Sequence, residues 1–271
     1  MNINLPKHLN TWKIVLMVAL FCVGVAILYF IYPIGVDWKS TFGLVGQTLA
    51  DPYSVPTFVN PPFTLLFIPH AVLPLQLGNA MNMAITFVVL ALVASRGGVW
   101  AIVLCFTSPT FFALAGTNNI DWIPLVAFLV QPVWAKYVLV AVKPQVLGGA
   151  VFVWLRKHGV RPLIPVIAVF ILSVLLYRAW FTQTRLPHDF EIWNFSPFPL
   201  LVPIGLYLLW YGYTKQDEVI AACATPCLAP YFGAYSLAPL FALIAGRDKR
   251  VAFVIWLAFW VYLILRVAGV L

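Results

Sequence analysis

Charge is what this sequence has least of. Lys, Arg, Asp and Glu make up 9% of its 271 residues, where soluble domains carry about 25%. That scarcity excludes a water-soluble domain, and with it a separate catalytic domain, so any active site must be built from helix ends and short loops. Cysteine is nearly as sparse. Cys22, Cys105, Cys223 and Cys227 all sit in apolar surroundings, without the loop placement of a disulfide framework or the paired spacing of a metal site. Cys223 and Cys227 are i, i+4, but nothing nearby completes a four-coordinate site. The four read as packing residues.

What the chain has in abundance is apolar length. Hydrophobic residues reach 63% and the mean hydropathy is +0.97, so lipid is its main solvent. The length suffices for roughly ten spans of about 20 residues each. The expected fold is all-α: a polytopic transmembrane helical bundle of about nine to eleven spans, some short or re-entrant, forming one integral-membrane domain over residues 1–271. The first apolar run, Ile14 to Tyr32, follows Lys7 and Lys13 as a signal peptide would. It is longer than a signal core and lacks a small-residue cleavage pattern, so it reads as a retained helix.

Breaks between apolar runs place helices near 13–32, 77–95, 99–116, 121–133, 136–143, 145–155, 162–178, 198–213, 218–232, 235–246 and 251–268. With the amino terminus cytoplasmic, Lys7, Lys13, Arg96, Lys136, Arg156, Lys157, Arg161, Lys215, Arg247, Lys249 and Arg250 fall inside. Lys39, Lys143, Arg178, Arg185 and Arg266 fall outside. This is the asymmetry of the positive-inside rule, and it explains the formal charge of +8 without nucleic acid as a partner. The heavy inward bias fits a prokaryotic inner membrane. The helices expected between Asp121 and Leu155 are too short to span, because about 12 helical residues rise only about 18 Å against a core of about 30 Å. Broken helices at depth need protein or a water-filled cavity over their ends, so this stretch is expected to border a cavity, or else to form one or two tilted helices.

The outer side gathers the plausible chemistry. Residues 33–76 form its longest segment. Trp38, Phe42, Val45 and Leu49 share one face at helical spacing, as in a helix lying on the membrane surface. Prolines at 52, 61 and 62 then turn the chain back, and the run from Phe63 to Leu75, interrupted at Pro69 and Pro74, reads as a re-entrant or interfacial helix. Asp37 lies just past the first helix. A carboxylate there is either merely solvated or functional. Lys143, in Val142-Lys143-Pro144-Gln145, is embedded in apolar sequence, where an unpaired cation costs about 2.5–3.5 kcal/mol, so it is expected to face an anionic group. The turn Gly116-Thr117-Asn118-Asn119-Ile120-Asp121 supplies amides for hydroxyls, or is an ordinary polar turn. Between two later helices lie Arg178, Arg185, His188, Asp189, Glu191, Trp193 and Asn194. Arg178 and Arg185 suit phosphate or lipid headgroups, and Trp180 and Trp193 suit an interfacial belt.

Taken in order, Asp37, Asp51-Pro-Tyr53, Asn60-Pro-Pro-Phe63, Pro69-x4-Pro74, the Gly-Thr-Asn-Asn turn, Lys143-Pro-Gln145, Thr225-Pro226, Pro230-Tyr231 and Tyr235 resemble the integral-membrane glycosyltransferases of the GT-C fold. The nearest likeness is to the polyprenyl-phosphate-mannose-dependent mannosyltransferase-like family. The resemblance implies an inverting transfer of mannose or another hexose or pentose from a polyprenyl-phosphate sugar to a lipid or glycan acceptor. Asp37 would then be the general base. Lys143, Arg178, Arg185 and His188 would hold the donor phosphate. Tyr53, Asn60, Asn118, Asn119, Gln145 and Tyr231 would line the sugar and acceptor. It implies no resident cofactor and no divalent metal. A lipid or solute transporter and a catalytically inactive subunit of a membrane complex remain the alternatives. The transporter is disfavoured by the lack of an internal repeat between the halves.

Overall fold

A computed structural model describes residues 11–178, 180 and 194–269. Those residues are helical or irregular, with no strand among them. Helix α1 (Thr11–Ile31) is apolar on every side and ends before Pro33, which disfavours a helical conformation in the preceding residue. A five-residue π-helical turn, Trp38–Phe42, runs into α2 (Gly43–Gln47). The apolar face expected on a membrane surface is instead covered by protein. Trp38, Phe42 and Val45 are buried and Leu49 is exposed. Trp38 stacks on His70 with ring centroids 5.2 Å apart, and its Nε1 donates to the Leu75 carbonyl at 3.2 Å. Helical periodicity reports that a face is covered and does not say by what. The run expected as a re-entrant helix is two 3-10 turns, Pro62–Phe67 and Pro69–Val72, each opened by a proline at a position where its missing N–H costs nothing.

Helix α3 (Leu75–Ala94) is the axis of the bundle. Of its apolar span 61% is buried in protein, against 6% for α1. The span expected at 99–116 is broken into α4 (Val99–Phe106) and α5 (Pro109–Thr117), inclined by 59°. Pro109 forces the break, and Ser108 relieves it: its Oγ accepts from the Phe111 N–H at 3.2 Å. Next come α6 (Trp122–Val126), α7 (Val133–Val142), α8 (Pro144–Leu147) and α9 (Gly149–His158). These short helices are core: Ile123, Leu125, Val140, Val146, Leu147 and Trp154 are fully buried. As expected of this stretch, the backbone break between α8 and α9 borders a cleft of about 460 Å³, lined there by Pro144, Gln145, Gly148 and Gly149, while protein covers the buried faces. The chain continues through α10 (Leu163–Leu176), α11 (Val202–Lys215), α12 (Glu218–Cys223), α13 (Thr225–Leu228), α14 (Leu237–Arg247) and α15 (Lys249–Val267).

Among the described residues three helices are long and apolar enough to cross a membrane: α1, α3 and α15. The bent α4–α5 pair makes a fourth. The remaining apolar helices among the described residues fall short of full span length, where about nine to eleven spans, some short or re-entrant, are expected from the sequence. The two ends of the bundle differ in charge. At one, Gln76 Nε2 donates to the carbonyls of Tyr29 and Tyr32, joining the end of α1 to the start of α3, and the Tyr32 hydroxyl donates to the Ala115 carbonyl of α5. Asp37, Asp121 and Lys143 lie here. At the other end stand Lys13, Arg96, Lys136, Arg156, Lys157, Lys215, Arg247, Lys249 and Arg250, at the termini of α1, α3, α7, α9, α11, α14 and α15. Asp217, Glu218 and Asp248 accompany them, Asp217 pairing with Arg247 at 2.5 Å.

Candidate functional site

Three backbone features bring the cluster together. Gly35 packs against Thr117 and Asn118 too closely for any Cβ, and its N–H donates to Asn79 Oδ1 at 3.0 Å, which pins the chain just before Asp37. Asn118 closes α5 in the left-handed region (φ 51°), a conformation Asn tolerates better than most residues, and so turns Asn119 inward. Lys143 precedes Pro144 and leaves helical geometry (φ −146°, ψ 76°), which ends α7 and aims its side chain into the bundle.

The side chains then form one continuous hydrogen-bonded run. Asn119 Nδ2 donates to Asp37 Oδ2 at 2.5 Å, and its Oδ1 accepts from Lys143 Nζ at 2.8 Å and from the Ile120 N–H at 2.7 Å. Lys143 Nζ also pairs with Asp121 Oδ1, and Asp121 Oδ2 accepts from Ser236 Oγ at 3.0 Å. The ammonium lies 5.2 Å from the centre of the Tyr235 ring, a cation–π distance. Lys143 is 6% exposed and Asp121 0%, whereas Asp37 is half-buried. Two bonds to Asn119 Oδ1 fix the amide's orientation, so its NH₂ always faces Asp37. No further hydrogen bond to the Asp37 carboxylate is made among the described residues.

Burial is the main influence on Asp37 and raises its pKa above the usual carboxylate value. The Asn119 hydrogen bond and the Lys143 charge oppose this, while the Asp121 charge adds to it. Tyr231 lies near enough to feel both acids. Burial chiefly raises its phenol, the hydrogen bond with Tyr235 lowers it, and the Asp37 and Asp121 charges raise it again.

Behind this run stands a lattice of amides. Asn118 Nδ2 donates to Asn79 Oδ1 at 2.7 Å. Asn82 Nδ2 donates to Asn118 Oδ1 at 2.9 Å and Asn82 Oδ1 accepts from Trp122 Nε1 at 2.9 Å. His70 Nε2 lies 3.2 Å from the same Asn82 oxygen. That oxygen is an acceptor only, so His70 carries its proton on Nε2. Burial holds the His70 pKa below the ordinary imidazole value, partly offset by this bond.

Of the residues expected at a site, Asp37, Asn119 and Lys143 are joined directly, and Asn118 supports them. Tyr53 and Asn60 are scaffold: the Tyr53 hydroxyl donates to the Asn60 carbonyl at 2.8 Å, and Asn60 Nδ2 to the Val142 carbonyl at 3.2 Å. Gln145 is set apart from the ion pair, in a cleft of about 460 Å³ with Gly149, Leu209, Thr225, Leu228 and Pro230. Tyr231 directly follows that cleft's Pro230. Arg178 is exposed past the end of α10. Arg185 and His188 lie outside the described residues. Lys143 does face an anionic group as its apolar surroundings demand, but that group is Asp121 of the same chain. Asn119 and Asp121 take two of the ammonium's three donors, and the Tyr235 ring lies beside it. The phosphate-holding role drawn from the resemblance has no support in this geometry.

Asp121, Ser236, Asn79, Asn82 and His70 were not read as site residues from sequence. A buried lysine requires a counter-ion, which makes Asp121, two residues past Asn119, the discoverable one. Among the described residues no three His, Cys, Asp or Glu side chains converge as metal ligands would. The fold and cluster thus define an all-helical membrane protein with a buried ion pair wired to a half-buried carboxylate. No family model, curated protein or solved structure matches the chain.

Proposed function

We propose that the chain is a membrane glycosyltransferase that moves a sugar from a polyprenyl-phosphate donor to a lipid or glycan acceptor, with Asp37 as general base. The observation that carries this reading is the Asp37 carboxylate: one oxygen is fixed by Asn119, the group is only half-buried, and its pKa is raised toward the pH at which a base works. Reading the basic end of the bundle as cytoplasmic puts Asp37 on the opposite face. The base takes the acceptor hydroxyl's proton as that oxygen attacks the anomeric carbon. The sugar–phosphate bond breaks with inversion and the phosphate leaves with the electron pair. Lys143 acts here through Asn119, as a positioning residue. The apolar cleft at Gln145 suits the donor's chain, and the exposed Arg178 suits its phosphate.

The pairing of Lys143 with Asp121 favours one competing reading, a non-enzymatic subunit in which the cluster only holds helices together. One assay separates the two. Purified protein in liposomes is given radiolabelled polyprenyl-phosphate sugar and a membrane-lipid acceptor fraction, wild type against Asp37→Asn. The transferase reading expects labelled acceptor from wild type and a loss of about 10²–10⁴ in rate in the variant. No labelled product from either protein, or equal product from both, removes Asp37 from the base role.

A further inference from the structure

At the end of the bundle away from Asp37, helices α12, α14 and α15 leave a cleft of about 360 Å³ between them, within the range of small-ligand sites. Its walls are apolar, from Ile220, Ile244, Val251 and Ile255, and Arg247 and Asp248 stand where α14 passes into α15. The outer face of α15 is exposed through Phe253, Val254 and Leu257, so the cleft lies under a helix that faces lipid.

The acids at this mouth are already engaged. Asp217 Oδ1 accepts from the N–H groups of Val219 and Ile220 at 3.1 Å each and from Arg247 at 2.5 Å. Asp248 Oδ1 caps α15 through Arg250 N and Val251 N at 2.8 and 3.3 Å. Arg247 keeps further donors, because a guanidinium carries five and its side chain is 43% exposed. Lys249 and Arg250 are exposed and take part in neither of the ion pairs found among the described residues. Exposed bases thus adjoin an apolar slot at one end of a membrane-spanning helix, Arg247 in its lining and Lys249 and Arg250 in the neighbouring first turn of α15. That is the chemistry of a lipid with a negative headgroup and an acyl chain.

We propose that this cleft binds an anionic phospholipid, its phosphate held by Arg247, Lys249 and Arg250 and one acyl chain between α12, α14 and α15. The site is independent of the Asp37 cluster and of the reaction assigned to it. The test is native mass spectrometry of the full chain in detergent, titrated with phosphatidylglycerol or phosphatidylcholine of identical acyl chains. The expected result is one retained phosphatidylglycerol in preference to phosphatidylcholine. Lys249→Gln with Arg250→Gln weakens that preference about fivefold per base removed. Ile255→Trp fills the slot and abolishes retention, while Val254→Trp, on the outer face of the same helix, leaves it intact. Equal retention of the two lipids overturns the proposal. So does undiminished phosphatidylglycerol on Ile255→Trp, which would make the binding a property of the general basic surface. Displacement by glycerol phosphate, which has the headgroup charge and no chain, also overturns it.

Discussion

Asp37 and Lys143 are joined by a single amide, that of Asn119, which donates to the carboxylate at 2.5 Å and accepts from the ammonium at 2.8 Å. The cation therefore reaches the carboxylate partly as a field and partly as a mechanical constraint on the amide between them. Asp121 completes the arrangement by neutralising Lys143 inside the protein. The half-buried acid thus remains the uncompensated charge of the four-residue run from Asp37 to Asp121.

Removing either member of the Lys143–Asp121 pair strands the other in a site with almost no water. Lys143→Met or Asp121→Leu alone should destabilise the protein by about 3–5 kcal/mol, because the remaining charge has lost its partner. The double variant should be less destabilised than the sum of the two. Thermal unfolding in one detergent, set out as a double-mutant cycle, measures the difference. Strict additivity would mean that the two residues do not interact.

Asn82 uses both ends of its amide at once, donating to Asn118 and accepting from Trp122 and His70. Asn82→Leu keeps the volume and leaves the Trp122 N–H and the Asn118 oxygens without partners. Each buried polar group so stranded costs about 1–3 kcal/mol, making this one of the most damaging single changes in α3. Proteolysis of the purified variant should open the chain between α3 and α6 first, with cuts near residues 117–121.

Much of this was legible in the sequence, for identifiable reasons. The paucity of charge named the solvent. Pro144 marked a helix break because proline acts on its immediate neighbours, whereas the break at Pro109 fell inside the apolar run 99–116 read as one helix. The apolar setting of Lys143 demanded an anion. What the sequence withheld depends on which helices meet. Lys143 and Asp121 are 22 residues apart, Asn79 and Asn118 39 apart, and no local pattern joins them. Trp38, Phe42 and Val45 show the same limit from the other side. Their spacing marks a covered face correctly, yet lipid and His70 leave the same signature in a helical stripe.

His70 should give the protein a pH dependence that a neutral ring removes. Its native pKa is depressed, first by burial, while the unfolded chain takes up a proton near the ordinary value of about 6.5. Stability from this group is therefore complete above that value and is lost as pH falls below it toward the native pKa. Thermal melts from pH 7.5 to 5 should show a decline in wild type that is shallower in His70→Phe. The variant keeps a ring against Trp38 but forfeits the bond to Asn82. Parallel curves would remove His70 as the source of the slope.

Asp37 should pull stability and activity in opposite directions. Its native pKa is raised above 3.8, chiefly by burial, so the native state resists ionisation more than the unfolded chain does. Stability from the protonated form is fully present below that unfolded value and is lost as pH rises through the native pKa. Above it, a permanently neutral side chain avoids the cost of the buried charge. Asp37→Asn keeps an acceptor oxygen for Asn119, so it should melt higher than wild type at pH 7, and the advantage should shrink to nothing below about pH 4. Transfer of sugar needs the ionised form. The wild-type rate should therefore climb with pH along a limb whose midpoint lies above 3.8, and Asn119→Leu, which removes the bond that lowers this pKa, should move the midpoint higher still. A melting curve and a pH–rate profile on the same preparations decide it. An Asp37→Asn protein less stable than wild type at pH 7 would mean that the carboxylate's charge is a structural contact.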